Sequence, residues 1–185
     1  ALLDELAPLE DIRLADTAIF YSISNAQKGL SGISFGNFLI KSVVKKLQQE
    51  FPQLKQFATL SPIPGFCRWL DSMDAVKASD LSGEDSMSGS PEQLQKLAAH
   101  YLVEQKQQRN DKHARDPVAH FHLSNGAKLE RLNWMADTSD NGVKQSAGMM
   151  VNYLYELPHI ESRSQSYSAD FKVAVSTSIE KQLTL

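Results

Sequence analysis

One cysteine in 185 residues is the first shortage that limits this protein. Cys67 can close no bridge within the chain, and without a ligand cluster it makes a poor metal site. A reducing, cytoplasmic setting is therefore expected, with an intermolecular bridge left open. Long apolar runs are missing as well. Nothing approaches the roughly 18 residues of a membrane span, so no membrane partner is expected. The opening ALLDELAPLEDIRLAD lacks the basic n-region of a signal peptide, and the closing KQLTL is not the peroxisomal address. Charge excess is also absent: 19 basic against 22 acidic residues leave a formal charge of −3. No overall electrostatic footprint for nucleic acid exists, although a local basic cluster can still hold a phosphorylated small molecule.

What remains is ordinary globular material, 42% hydrophobic and 22% charged, enough for one domain around one core. The amphipathic spacing Leu2, Leu3, Leu6, Leu9, Ile12 has nothing before it, so a fragment of a longer protein is expected. Thr17 to Ile23, TAIFYSI, is a nearly continuous apolar run that reads as a strand buried on both faces. From Ser34 the spacing Phe35, Phe38, Leu39, Val43, Leu47 is helical, and Pro52 stops it. QFATL then forms a second strand, so strand, helix and strand make a βαβ unit with parallel strands.

Residues 64 to 116 read as a helical insertion between sheet elements. Phe66, Trp69 and Leu70 begin it, and KASDLSGEDSMSGS, poor in hydrophobes, reads as a surface loop. Ser90-Pro91-Glu92-Gln93 combines an N-cap, a first-turn proline and a capping-box glutamine ahead of a buried face at Leu94, Leu97, Ala98, Tyr101 and Leu102. In VAHFHLSNGAKLERLNW the Asn125-Gly126 pair predicts a hairpin between two strands, with Leu129, Arg131 and Asn133 on one face and Leu132 and Trp134 on the other. TSDNGVKQSAG predicts a short capped helix or turn, MMVNYLYEL a strand, and Phe171, Val175 and Ile179 a closing helix.

Chemistry has few candidate locations. Gly29, Gly32 and Gly36 lie between a strand and a helix, where exposed N–H groups and the helix dipole suit phosphate oxygens. The pattern matches neither the Walker nor the dinucleotide fingerprint, and on these residues alone an ordinary turn is the readier reading. Ser61 precedes Pro62, which has no N–H and favours an extended neighbour. That excludes the nucleophile elbow, whose oxyanion donor follows the serine, and leaves Ser61 as a rigid hydrogen-bonding or proton-handling group. His120 and His122, two apart on an expected strand, point to opposite faces, which argues against a shared metal. His122 between Phe121 and Leu123 favours a neutral ring by desolvation, though on these residues alone a structural histidine is the readier reading. His100, His113 and His159 read as surface residues. Tyr153 and Tyr155 share a strand face as core or groove lining.

Several stretches, AIFYSIS, GLSGISFGNFLIKSVVKKLQQEFP, TLSPIPGF, HFHLSNGAKLERLNWMADTSDNG and QSAGMMVNYLYEL, closely resemble the malonyl-CoA decarboxylase family and run in its order over more than half of the chain. The resemblance implies an α/β (α+β) domain of the GCN5-related N-acetyltransferase-like type, a mixed sheet with flanking helices and a helical insertion. Residues 1–185 would be the carboxy-terminal part of the catalytic domain, without the family's helical amino-terminal domain and first strands. It implies that two strands splay to admit CoA and that Ser31, Gly32, Ile33, Ser34, Phe35, Gly36 and Asn37 bind malonyl-CoA. Ser61 and His122 match the family's proton acceptor and proton donor. Some members have an acidic residue in place of Ser34, so no carboxylate is assigned there. Generic acetyltransferases usually have a second glycine where this chain has Leu30.

The expected activity is conversion of malonyl-CoA to acetyl-CoA and CO2 in fatty-acid metabolism, with the CoA thioester as substrate, no separate cofactor, no metal and a homo-oligomeric assembly. Whether Tyr155 or Asn133 reaches the thioester is open at this point. Two alternatives stand beside this expectation: an acyl-CoA N-acyltransferase, and a CoA-binding fragment that is inactive without its amino-terminal part.

Overall fold

The computed structural model describes residues 11–21, 35–80, 90–108 and 110–184. The expected opening helix falls mostly on residues 1–10, outside the described residues, and is followed by a single 3-10 turn at Ile12–Leu14. Strand β1 (Thr17–Tyr21), helix α1 (Phe35–Glu50) and strand β2 (Gln56–Pro62) form the anticipated unit, with β1 and β2 parallel from Thr17 opposite Gln56 to Tyr21 opposite Leu60. The described sheet then continues antiparallel through β6 (Met150–Leu154) to β5 (Lys128–Asn133), in the order β1-β2-β6-β5. The sheet is therefore mixed, as expected.

β1 is the edge of this described sheet, and its residues are half-buried or exposed rather than buried on both faces. The apolar run in the sequence could not distinguish these cases, because burial depends on what lies beside the strand. In α1 the core face is Ile40 and Val44, with Leu47 packed alongside, whereas Val43 is exposed. Of the predicted face, Leu47 packs on the core and Val43 does not, while the side chains of Phe35, Phe38 and Leu39 lie outside the described residues.

The insertion is helical at first. Helix α2 (Phe66–Asp80) buries Phe66 and Trp69 against Tyr101 of α3 (Pro91–Glu104). It runs on through Lys77–Asp80, four residues that the sequence assigned to a loop, and residues 81–89 lie outside the described residues. α3 starts on the predicted capping box, with Ser90 accepting from the Gln93 N–H and the Gln93 side chain accepting from the Ser90 N–H. A small hairpin, β3 (Lys106–Gln107) and β4 (Asn110–Ala114), follows unannounced.

The largest correction concerns residues 117–126. VAHFHLS is helix α4 (Pro117–Ser124), not a strand, so His120 and His122 are helical. Asp116 caps it and Pro117 opens it, a start signal that the alternating apolar pattern masked. Asn125-Gly126 closes the helix rather than turning a hairpin. Gly126 has φ +79°, its N–H bonds the Leu123 carbonyl, and the Ala127 N–H bonds that of His122, which is the Schellman arrangement. A left-handed glycine serves a hairpin or a helix end equally, and only the packing decides between them.

β5 departs from simple alternation at a bulge between Leu129 and Arg131, so Leu129 and Leu132 face the same core. Helix α5 (Asp140–Ser146), capped by Ser139, is as predicted. The closing segment is two helices, α6 (Ile160–Asp170) and α7 (Thr177–Leu183). Phe171 ends α6 in the left-handed conformation, and Val175 forms a bridge to Leu129 instead of continuing a helix. One core joins these elements, with Phe57, Val151, Tyr153, Tyr155, Leu129 and Leu132 of the sheet packed against the helices.

Candidate active site

β2 sends alternate side chains to opposite faces. Phe57, Thr59 and Ser61 enter the covered face together with Val151 and Tyr153 of β6 and with Tyr155, the residue just after it. α4 lies on that side and brings His122 to the end of β2. The imidazole stacks on the Tyr153 ring at a centroid distance of 4.4 Å. Its Nε2 is 3.2 Å from Ser61 Oγ, and its Nδ1 is 2.8 Å from the Tyr155 hydroxyl. Ser61 Oγ in turn lies 3.0 Å from Thr59 Oγ1. Ser61 is 6% and His122 3% exposed. The two residues that the sequence singled out therefore converge.

The direction of these hydrogen bonds follows from supply and demand. The Tyr155 O–H is buried and must donate, and among the described residues its partner is Nδ1 of His122. Nδ1 is then an acceptor and the ring proton resides on Nε2, facing Ser61. Nε2–H donates to Ser61 Oγ, and the Ser61 hydroxyl donates to Thr59 Oγ1. Burial alone pushes the His122 pKa down to about 3 from 6.5, so the ring is neutral at physiological pH. The same burial raises the Tyr155 phenol far above its ordinary value, which keeps its proton in place as the donor. The line Tyr155, His122, Ser61, Thr59 is thus a neutral hydrogen-bonded relay. It presents an N–H and an O–H at one point and carries no fixed charge.

Ser61 follows Leu60, the last residue of β2 with a described partner on β1, Tyr21; residues 22 and 23 of the expected first strand lie outside the described residues. On the other side Ser61 is held opposite Val151 of β6. Of the expected CoA loop, Ser31, Gly32, Ile33 and Ser34 lie outside the described residues, while Phe35, Gly36 and Asn37 form the first turn of α1. A cavity of about 580 Å3 is on the opposite face of the sheet, lined by Ile19, Ala58, Leu60, Asn152 and Leu154 among others. Asn133 belongs to that far side, donating to Asn152 Oδ1 at 2.8 Å, so it is Tyr155 and not Asn133 that joins the pair. The sequence set Tyr155 on a strand face and left open whether it reaches the thioester. Its role needed the helix carrying His122 to be packed on β6.

His120, which the sequence set on the opposite face from His122, indeed points elsewhere and stacks on His113 at 4.0 Å, with Nδ1 2.9 Å from the Tyr167 hydroxyl. Among the described residues no group of three or more His, Cys, Asp or Glu side chains could hold a metal ion, and no helix is long and apolar enough to cross a membrane.

Comparison with known proteins gives a consistent result. The family model described as malonyl-CoA decarboxylase C-terminal domain matches residues 1–88 and 85–185. The mitochondrial malonyl-CoA decarboxylase of Anser anser anser is 40% identical over 194 residues, covering 85% of this chain and 38% of that protein. Its Mus musculus counterpart is 39% identical over 198 residues, covering 88% and 40%. The crystal structure of malonyl-CoA decarboxylase from Agrobacterium vitis superposes with a TM-score of 0.87 at 42% identity, over 100% of this chain and 49% of that one. The structure from Rhodopseudomonas palustris gives 0.81 at 40%, over 97% and 48%. The chain therefore spans about two-fifths of the curated relatives and about half of the solved ones. It belongs to the malonyl-CoA decarboxylase family, whose C-terminal domain it matches.

Proposed function

We propose that the protein carrying this chain is a carboxy-lyase that converts malonyl-CoA to acetyl-CoA and CO2 through the enolate of the thioester, with Ser61 and His122 as its catalytic residues. The observation that carries this reading is the 3.2 Å approach of Ser61 Oγ to Nε2 of a buried, neutral His122. Decarboxylation needs no nucleophile. The C–C bond to the carboxylate breaks, its electron pair passes into the thioester carbonyl as an enolate, and a proton then adds to the carbon. A neutral imidazole N–H suits the developing enolate oxygen, because it donates a hydrogen bond without first having to lose a charge. The Ser61 hydroxyl, next to that N–H, orients the malonyl carboxylate, and the Ser61–His122 pair supplies the proton that adds to the carbon, to be replaced from water.

The first turn of α1, with Phe35, Gly36 and Asn37, and the preceding Ser31, Gly32, Ile33 and Ser34 are the proposed seat of the CoA phosphates, where a helix N-terminus favours anions. The overall architecture is read as GCN5-related N-acetyltransferase-like, with CoA entering a wedge between the first two strand segments, and the assembly as a homo-oligomer. An N-acyltransferase would need a base for its amine, and a ring whose pKa is near 3 serves that purpose poorly at neutral pH. A lone Cys67 suits a thiol-reducing compartment; the cytoplasm is our reading, whereas the two curated relatives are named mitochondrial.

The test is CO2 release from malonyl-CoA by the longest natural form of the protein and by its Ser61→Ala variant. Loss of one preorganised donor is expected to lower kcat roughly a hundredfold, about 3 kcal/mol. A wild type without turnover, or a Ser61→Ala variant with full turnover, would sink the proposal.

A further inference from the structure

We propose that Asp116 is a positioning residue that sets the separation of Ser61 and His122 by tying the exit of β2 to the start of α4. Its kinetic consequence rests on the decarboxylase reading above; its structural consequence does not. Ser61 leads into Pro62-Ile63-Pro64-Gly65, a turn in which two of the four residues have no N–H to anchor with. The Gly65 N–H donates to Asp116 Oδ2 at 3.3 Å across 51 residues of sequence. The other oxygen, Oδ1, accepts from the Val118 and Ala119 N–H groups at 3.0 Å each. These are the first orphan donors of the helix that carries His122 one and a half turns later.

The choice of residue is informative. Helices α3, α5 and α7 are capped by Ser90, Ser139 and Ser176, whose single oxygens accept from their own helices, while the Ser139 and Ser176 hydroxyls donate to Asp137 Oδ1 and to the Glu130 carbonyl. A serine would cap α4 as well. Instead α4 carries a carboxylate that is 0% exposed, and burial raises the proton affinity of such a group. Only a side chain with two acceptor oxygens can take the helix N–H groups on one and the turn N–H on the other. The second oxygen is what a simple cap would not need. Tyr155 fixes the imidazole from the Nδ1 side; Asp116 fixes the helix beneath it relative to the strand of Ser61. A pair held this way keeps the tolerance of a few tenths of an ångström that oriented catalysis requires.

Two substitutions separate linking from capping. Asp116→Asn keeps a carbonyl for Val118 and Ala119 but turns an NH2 toward the Gly65 N–H. Asp116→Ser keeps the cap and is too short to reach Gly65. In the longest natural form of the protein, both are expected to lower kcat tenfold or more with KM within twofold. Histidine 15N NMR should show the His122 ring leaving its Nε2–H tautomer for a mixture. Ser90→Ala, an exposed cap on α3, is the control: it should lower Tm comparably and alter neither kcat nor the His122 signal. Wild-type kcat together with an unchanged His122 tautomer in either Asp116 variant that folds would overturn the proposal. Should the wild type fail to decarboxylate malonyl-CoA, the functional reading falls while the tautomer measurement still decides the role of Asp116.

Discussion

Acid should destabilise this fold through one ring. In the unfolded chain His122 takes up a proton near pH 6.5; in the folded protein it does so only near 3. Between those values the unfolded state binds the extra proton and the native state does not, so stability falls as the pH falls. The loss begins below about 6.5 and is complete below about 3. The cause is burial: the groups against the ring are the hydroxyls of Ser61 and Tyr155 and the Tyr153 face, none of which carries a charge that would repay protonation. Each pH unit in this window is worth about 1.4 kcal/mol. At pH 4.5, two units below the unfolded value, the deficit relative to pH 7.5 is therefore about 3 kcal/mol, a large fraction of a typical domain's stability. The figure depends on the unfolded pKa alone so long as the folded one stays below about 4.

Urea denaturation of wild type and His122→Gln at both pH values measures it. Every other side chain is common to both proteins, so the difference between the two isolates the ring. The wild-type advantage is expected to shrink by about 3 kcal/mol at pH 4.5. An advantage that stays constant within about 0.5 kcal/mol, the scale of independent surface effects, would mean that the ring is not held neutral. The Nε2–H assignment would then fail with it.

Other outcomes follow from the same geometry. Tyr155→Phe removes the donor to Nδ1 and leaves a buried acceptor unpaired, so unfolding free energy should drop by about 1–3 kcal/mol. Turnover of malonyl-CoA should fall about tenfold, the rate equivalent of 1.4 kcal/mol, with KM nearly unchanged; a kcat within twofold of wild type would refute the tautomer argument. Gly126→Ala meets both a φ of +79° and the Ile160 carbonyl, which a Cβ would strike. It should cost more than about 2 kcal/mol in urea midpoint measurements, and a loss under about 0.5 kcal/mol would show that the α4 end relaxes freely.

Parts of the architecture were legible because their causes are local. The capping box at Ser90 and Gln93 satisfies the first turn of α3 from within four residues, and the Ser139 cap does the same for α5. The β1–α1–β2 unit could be read from the change of apolar period and the breaks between its elements. α4 could not be read so easily. Ala119, Phe121 and Leu123 alternate with polar residues as they would in a strand, and Asn125-Gly126 suits either a hairpin or a helix end. The one local clue was Asp116-Pro117, a cap and a first-turn proline. The bulge at Glu130 was likewise invisible, since it depends on how β5 is pulled against β6.

Residue types and short-range spacing alone determined a mixed α/β domain, a serine barred from the elbow geometry by Pro62, and a family resemblance carried by a few motifs. Tertiary structure decided that Ser61 and His122, 61 positions apart, stand 3.2 Å from each other, and that Tyr155 and Asp116 hold them there. The reason is physical: a separation between distant segments is set by how β2, β6 and α4 pack, and a proton's location is set by burial and partners, neither of which is encoded within any window of neighbouring residues.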